Sequence, residues 1–252
     1  MAENNWKRVA VITDTHGDQC DWEAANVALE AIDDFKPHYR VHLGDFIDFR
    51  PLRGGASAEE KASGLADDVE QGVRLLELFK PTHLTLGNHD YRAWKGATET
   101  TNGIVRDACE MLVKRLEHTF SQMAIDWVQW GSHRYLEIGG FRFLHGYSAA
   151  MMAAKGHATS YGSCAFGHTH RPNEWRCRHV EDLVGINVGC LCHTHPEYSW
   201  GHIAGLEKGQ GFLLMMINER TGAKRWQNVV RDKVDGSWVI PTNWKVIEGK
   251  GQ

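Results

Sequence analysis

The stretch AFGHTHRP, residues 165–172, sets His168 and His170 on either side of one threonine, straight after a glycine. In extended backbone, residues two apart face the same way, so both rings can reach one surface. Imidazole is a common ligand for borderline divalent ions and also an ordinary cover for a polar edge. Partners elsewhere in the chain decide between these. Four more polar clusters stand ready: Asp14 with His16, Gly44-Asp45 with Asp48, the run Gly87-Asn88-His89-Asp90, and His145-Gly146.

Each cluster follows a segment that reads as a strand. The β-branched run Arg8 to Thr13 stops at Asp14, Tyr39 to Leu43 stops at Gly44-Asp45, and Thr82 to Leu86 stops at Gly87. Helical spacing fills the intervals. Trp22, Ala25, Leu29 and Ile32 share a face, with Asp21 as N-cap and Pro37 beyond the stop. Ser57 and Glu60 have capping-box spacing and open a helix expected to run to Phe79, weakened by Gly64 and Gly72. Strands alternating with helices predict βαβ units and a parallel sheet, whose C-terminal strand ends gather at one edge where ligands bind. A further helix is predicted over Ile104 to His118. From Ile125 the pattern changes to short strands and glycine turns. Hairpins are predicted across Gly139-Gly140, between Trp175–Val180 and Gly185–Val188, and between Phe212–Ile217 and Ala223–Val230. The second half is therefore expected to be mainly antiparallel. No repeat or linker interrupts the chain, which predicts a single domain over 1–252.

The bulk numbers narrow the function classes. A length of 252 residues, 42% apolar and 24% charged, belongs to a globular protein with a full core. The formal charge of −4 gives no basic footprint for non-specific nucleic-acid binding. The opening MAENNWKRVAVITD lacks a signal-peptide pattern, and the longest apolar run, Phe212 to Ile217, is too short for a bilayer. A cytoplasmic setting is expected, with the six scattered cysteines as free thiols. The cluster CLCHTH, Cys190 to His195, holds four zinc-type donors, but adjacent ligands on a short strand close a tetrahedron poorly. Core cysteines and surface histidines are the expected reading there.

The ordered set D-x-H, GD-x-x-D, GNHD, H and GH-x-H resembles the calcineurin-like metallophosphoesterase superfamily, here over residues 14 to 170, in the bacterial or phage-type branch ending in GHTH. That resemblance implies an α/β fold, a four-layer α-β-β-α sandwich with two central mixed sheets. It implies two divalent ions, one held by Asp14, His16 and His170, the other by Asn88, His145 and His168, with Asp45 bridging both. Nitrogen and oxygen donors accept Mn, Fe, Zn, Co or Ni alike, and manganese is the metal expected. Two such cations roughly 3.5 to 4 Å apart offset phosphate charge and ionise a bridging water near neutral pH. The implied reaction is attack of that hydroxide on a phosphate mono- or diester. His89 is the implied general acid, oriented by Asp48.

Asn88 and Arg92 are the implied contacts to substrate phosphate. The arginine that the Ser/Thr phosphatase branch places after GD-x-x-D is absent: Phe49 stands there, and Arg50 is one position late. Arg53 and Arg171 read as solvated surface residues, and His38, His42, His83, His118 and His133 as surface or ordinarily hydrogen-bonded histidines. Trp127 and Trp130 fit a core stripe, while Tyr91 and Trp94, following GNHD, are candidates to line the cleft. A nucleotide or DNA phosphodiesterase, including a nuclease, is the rival within enzymes, disfavoured by the acidic balance. A catalytically silent metal-binding scaffold is the rival class, against which stands the intact set of ligands and His89.

Overall fold

Alternation along two buried strands determines the layering. A computed structural model of the chain describes residues 5–177, 182–194, 207–242 and 244. Its first sheet has the order β11-β10-β1-β2-β3-β4, from β1 (Trp6–Ile12), β2 (Tyr39–His42), β3 (His83–Thr85), β4 (Asp126–Val128), β10 (Gly211–Asn218) and β11 (Lys224–Val230). The second has the order β5-β6-β7-β9-β8, from β5 (Leu136–Ile138), β6 (Phe141–Phe143), β7 (Cys164–Phe166), β8 (Asn173–Arg176) and β9 (Val184–Asn187). On β1, Ala10 and Ile12 face one way and Val9 and Val11 the other; on β10, Phe212, Leu214 and Met216 oppose Leu213, Met215 and Ile217. Both faces of these strands are buried, which is why β10 reads as an unbroken apolar run rather than an alternating one.

The first face packs on helix α1 (Trp22–Phe35), through Ala24, Ala25, Ala28, Ile32 and Phe35. Asp21 caps α1 by accepting from the Glu23 and Ala24 amides, and Lys36 ends it in the left-handed region before Pro37. The opposite face meets Phe141, Phe143, Ala165, Val184 and Ile186 of the second sheet. The outer side of that sheet, with Cys164 and Phe166, is covered by α6 (Ala153–Tyr161). Helices α3 (Ala66–Phe79), α4 (Tyr91–Glu99) and α5 (Gly103–Gln122) close a further core around Phe46, Leu84, Leu86 and Phe120. Helix, sheet, sheet and helix follow one another, the expected α/β sandwich with two mixed sheets.

Three expectations change. The helix expected over Ser57–Phe79 keeps its capping box but is cut into α2 (Ala58–Ala62) and α3, because Ser63-Gly64 has low helix propensity and no packing to hold it. The break re-aims α3 so that Asp68 lies under the loop after β2, accepting from the Asp48 and Phe49 amides at 3.0 and 2.8 Å. The second half is mainly antiparallel, as expected, in β1 with β10, β10 with β11, β5 with β6 and β8 with β9, but it also holds parallel pairs that the pattern did not predict. β6 with β7 and β7 with β9 are parallel, joined in the first case through α6, and β4 adds in parallel to β3. The helices α4 and α6 lie where the sequence pattern predicts no helix. Each has nine residues and an internal glycine, so neither carries a full periodic stripe.

Candidate metal centre

The five polar clusters converge at the C-terminal ends of β1, β2, β3, β6 and β7. Backbone crossings hold them there: the Asp14 amide donates to Gly44 O, the His16 amide to Asp45 O, and the Gly167 amide to His145 O, all near 3.0 Å. Five of the seven expected ligands, Asp14, His16, Asp45, His168 and His170, sit at φ between 51° and 69°. Left-handed backbone at non-glycine residues costs on the order of 1 kcal/mol or more each and persists where the surroundings over-determine it. Here it turns successive side chains inward from the strand ends. Two glycines make room for the packing: a β-carbon at Gly167 would fall 2.1 Å from Thr13 Oγ1 and 2.2 Å from Asp14 Oδ2, and one at Gly87 2.0 Å from Asp45 Oδ1.

Two donor clusters result. In the first, His16 Nε2 lies 3.0 Å from His170 Nε2, and Asp14 Oδ1 lies 3.2 Å from His170 Nε2 and 3.8 Å from His16 Nε2. In the second, Asn88 Oδ1 faces His145 Nε2 at 3.0 Å and His168 Nδ1 at 2.8 Å. Asp45 Oδ2 reaches both, 3.2 Å from His145 Nε2 and 3.9 Å from His16 Nε2. Metal–ligand bonds of about 2.0–2.2 Å place neighbouring donors roughly 3 Å apart, which is the spacing found. The ring nitrogens facing away are occupied: His145 Nδ1 by Leu43 O at 2.9 Å and His170 Nδ1 by Cys192 Sγ at 3.7 Å. Outer partners of this kind orient metal-binding imidazoles. The donor set therefore fits a pair of divalent cations.

The electrostatics match. Burial opposes charge throughout, yet the histidines hold Asp14 and Asp45 well below the usual carboxylate range. Against the same burial, Asp45 and Asp14 hold His145 up to about 9, and the neighbourhood of Cys192 and Asp14 holds His170 up to about 9. His168, buried beside His145, is drawn down to about 4.

His89 stands beside the clusters. Its Nδ1 hydrogen-bonds Asp48 Oδ1 and its Nε2 lies 3.9 Å from Asp45 Oδ2. Burial draws His89 below its ordinary value while Asp45 and Asp48 pull upward; Asp48, despite burial, is held far down by bonds from His16 and His89. Arg50 braces the same carboxylate, 3.0 Å from Asp48 and 2.5 Å from Asp18. Arg92 donates to Asp48 O at 2.8 Å. His16, Asp48, His89, His168, His170 and Cys192 line a cavity of about 200 Å³.

Other expectations resolve residue by residue. Arg53 pairs with Glu60 at the surface, whereas Arg171, its side chain only 16% exposed, pairs with Glu207 and donates to Ala149 O. His42 is fully buried, accepting from the Gly44 amide and facing Thr15. Trp94 does not line the cleft: it is buried against Trp127 and bonds Glu117, whereas Tyr91 lines a groove beside Asn88. In the CLCHTH cluster Cys190 Sγ faces Gly209 O and Cys192 O, Cys192 Sγ lies by His170, and exposed His193 is near Asp21; His195 lies outside the described residues. Two buried groups were not assigned from sequence. Asp90 accepts from the Asp45, Gly87 and Ile47 amides at 2.6, 2.8 and 3.0 Å and staples two ligand loops together. Burial and Asp45 push its carboxyl up to about 8. Its place in the GNHD run was the available signal. For Cys192 the CLCHTH cluster marked a possible donor but not its partner, because His170 is reached only by folding.

Among solved structures, YfcE, a phosphoesterase from E. coli, aligns over 87% of this chain and 98% of that one with 14% identity and a TM-score of 0.37. The Gene 54 protein of Mycobacterium phage D29 is 28% identical over 231 residues, covering 82% of this chain and 88% of that protein. The family model for the calcineurin-like phosphoesterase superfamily domain matches residues 8–204, a span that contains every strand-end cluster described above. With its His and Asp side chains gathered as candidate metal ligands at the strand ends, this chain belongs to the calcineurin-like phosphoesterase superfamily.

Proposed function

We propose that the chain is a single-domain, dinuclear metal-dependent hydrolase of phosphate esters. The observation that carries this reading is the pair of donor clusters sharing Asp45, with His89 held beside them by Asp48. Asp14, His16, His170 and Asp45 would hold one ion, and Asn88, His145, His168 and Asp45 the other. When bound, two divalent ions offset the charge on phosphoryl oxygens and lower the pKa of water to near neutrality. Manganese is the favoured metal, with Fe, Zn, Co and Ni compatible with the same donors.

The chain's own groups supply the rest. Asp48 accepts a hydrogen bond from Nδ1–H of His89, which fixes the ring, and in the imidazolium form the remaining Nε2–H is there to be given to the departing ester oxygen. Arg50 and the Arg92 bond to Asp48 O keep that carboxylate in place. Arg92 also brings positive charge to the substrate phosphate, alongside Asn88. Six free cysteines support a reducing, cytoplasmic setting, and no helix among the described residues is long and apolar enough to cross a membrane.

The test is hydrolysis of mono- and bis-p-nitrophenyl phosphate by protein stripped with chelator and reloaded with manganese. His89→Asn is expected to keep two ions per chain by elemental analysis and to lose turnover by about 10²- to 10⁴-fold. A fully active variant refutes the role given to His89.

A further inference from the structure

A second cavity, of about 660 Å³, shares no lining residue with the one that holds His89. Asn88, Arg92, Leu52, Tyr91, Lys95 and Trp130 are among the residues that line it. The volume lies in the range of small-molecule sites, about 300–1,000 Å³. Asn88 belongs both to the donor clusters and to this cavity: its Oδ1 faces His145 and His168 while the residue lines the cavity. A phosphate held at Asn88 therefore has this cavity beside it to receive a substituent.

The walls say what kind of substituent. Tyr91 and Trp130 sit with ring centroids 6.0 Å apart at 47°, and the indole is fixed by its Nε1–H to Gly146 O bond at 3.1 Å. Fixed aromatic faces favour a flat ring, since stacking needs no ordering of a flexible chain. Arg92 in the lining suits phosphate, and the exposed Lys95–Glu99 pair, 3.6 Å apart, offers a donor and an acceptor to hydroxyls or ring edges. A saturated hydrocarbon arm would leave these polar groups unmatched.

We propose that this cavity binds the retained arm of a phosphodiester and that this arm is a nucleoside, its base stacked against Tyr91 and Trp130. The inference rests on the phosphoesterase reading given above. In the reaction one water adds across one P–O bond: its oxygen joins phosphorus, the departing oxygen receives a proton, and the nucleoside stays on phosphorus as a monoester.

The experiment uses the full manganese-loaded chain and two esters with the same leaving group, thymidine 5′-p-nitrophenyl phosphate and methyl p-nitrophenyl phosphate. Because chemistry at the leaving oxygen is common to both, the ratio of their kcat/KM values reports the retained arm. Stacking of one base predicts a ratio of roughly 10 or more in favour of the nucleoside ester. Two variants should collapse it. Tyr91→Ala removes one wall; Gly54→Trp fills the cavity from its edge, where a β-carbon meets nothing within 4 Å. Thermal denaturation checks that each is folded. A wild-type ratio near 1, or a ratio unchanged in both folded variants, overturns the nucleoside subsite while leaving the phosphoesterase intact. Failure to hydrolyse either ester, with mono-p-nitrophenyl phosphate still cleaved, also overturns the subsite; failure on the monoester as well, with any of the five metals, overturns the phosphoesterase reading itself.

Discussion

Manganese should stabilise this chain by an amount that follows from the two donor clusters, and Asp45→Asn should remove a defined share of it. The donors run from Asp14 to His170 in sequence and are buried in the fold, with Asp14 and His145 at 0% and 2% exposure. Unfolding scatters them, so the ions bind the folded chain almost alone. One site filled at 100 times its Kd adds about 2.7 kcal/mol, and two independent sites add roughly 5 kcal/mol. For a chain of this size, each kcal/mol moves Tm by about 2–4 °C, giving a rise of roughly 10–20 °C. Asp45 Oδ2 serves both clusters, 3.2 Å from His145 Nε2 and 3.9 Å from His16 Nε2. An amide has no charge to share, so each site is expected to weaken at least tenfold, about 1.4 kcal/mol apiece. The manganese shift of Asp45→Asn should therefore be near half that of the parent chain. The assay is differential scanning fluorimetry with and without manganese, paired with elemental analysis. An undiminished shift with two ions per chain would refute the shared carboxylate.

Three further outcomes follow from particular contacts. Burial raises the Asp68 carboxyl from 3.8 to about 6, so the folded chain holds that proton more tightly than the unfolded chain. Its contribution to stability is then full below about pH 4 and is lost as pH rises through about 6, a total of about 3 kcal/mol. Urea unfolding of Asp68→Asn should show that segment of the pH profile flattened, and an unchanged slope would contradict the raised value. Cys192 Sγ lies 3.7 Å from the outward nitrogen of His170. Cys192→Ala should cost about 10–100-fold in affinity for one of two cobalt ions in a spectroscopic titration, with Cys192→Ser recovering part of it. Gly167→Ala drives a methyl group against Thr13 and Asp14. It should lower stability by at least 1–3 kcal/mol in denaturant unfolding, and a neutral effect would mean that the close approach is not required.

How much of this was legible in advance depends on the range of each interaction. The Asp21 cap, the stop at Lys36-Pro37, the Ser57–Glu60 box and the Gly139-Gly140 turn are written within a few residues, and all are found. The position of the five clusters at strand ends follows from local patterning too, because a buried parallel strand must deliver its polar residues past its last buried position. Short helices with internal glycines escaped. α4 and α6 are held by packing, Gly96 against Cys109 and Gly185 under Ala154 O, rather than by their own periodicity.

The sequence by itself determined which side chains could ligate, in what order, and that strands would carry them to one edge, because residue type and short-range periodicity need nothing beyond the neighbouring residues. Only the tertiary structure decided which strands pair in parallel in the second half, that Asp90 and Asp68 fasten the ligand loops from beneath, that Cys192 backs His170, and that Trp94 turns to the core while Tyr91 faces the groove. Those outcomes depend on contacts between residues 20 or more positions apart, whose geometry is fixed by the simultaneous packing of two sheets and their helices and by no local signal.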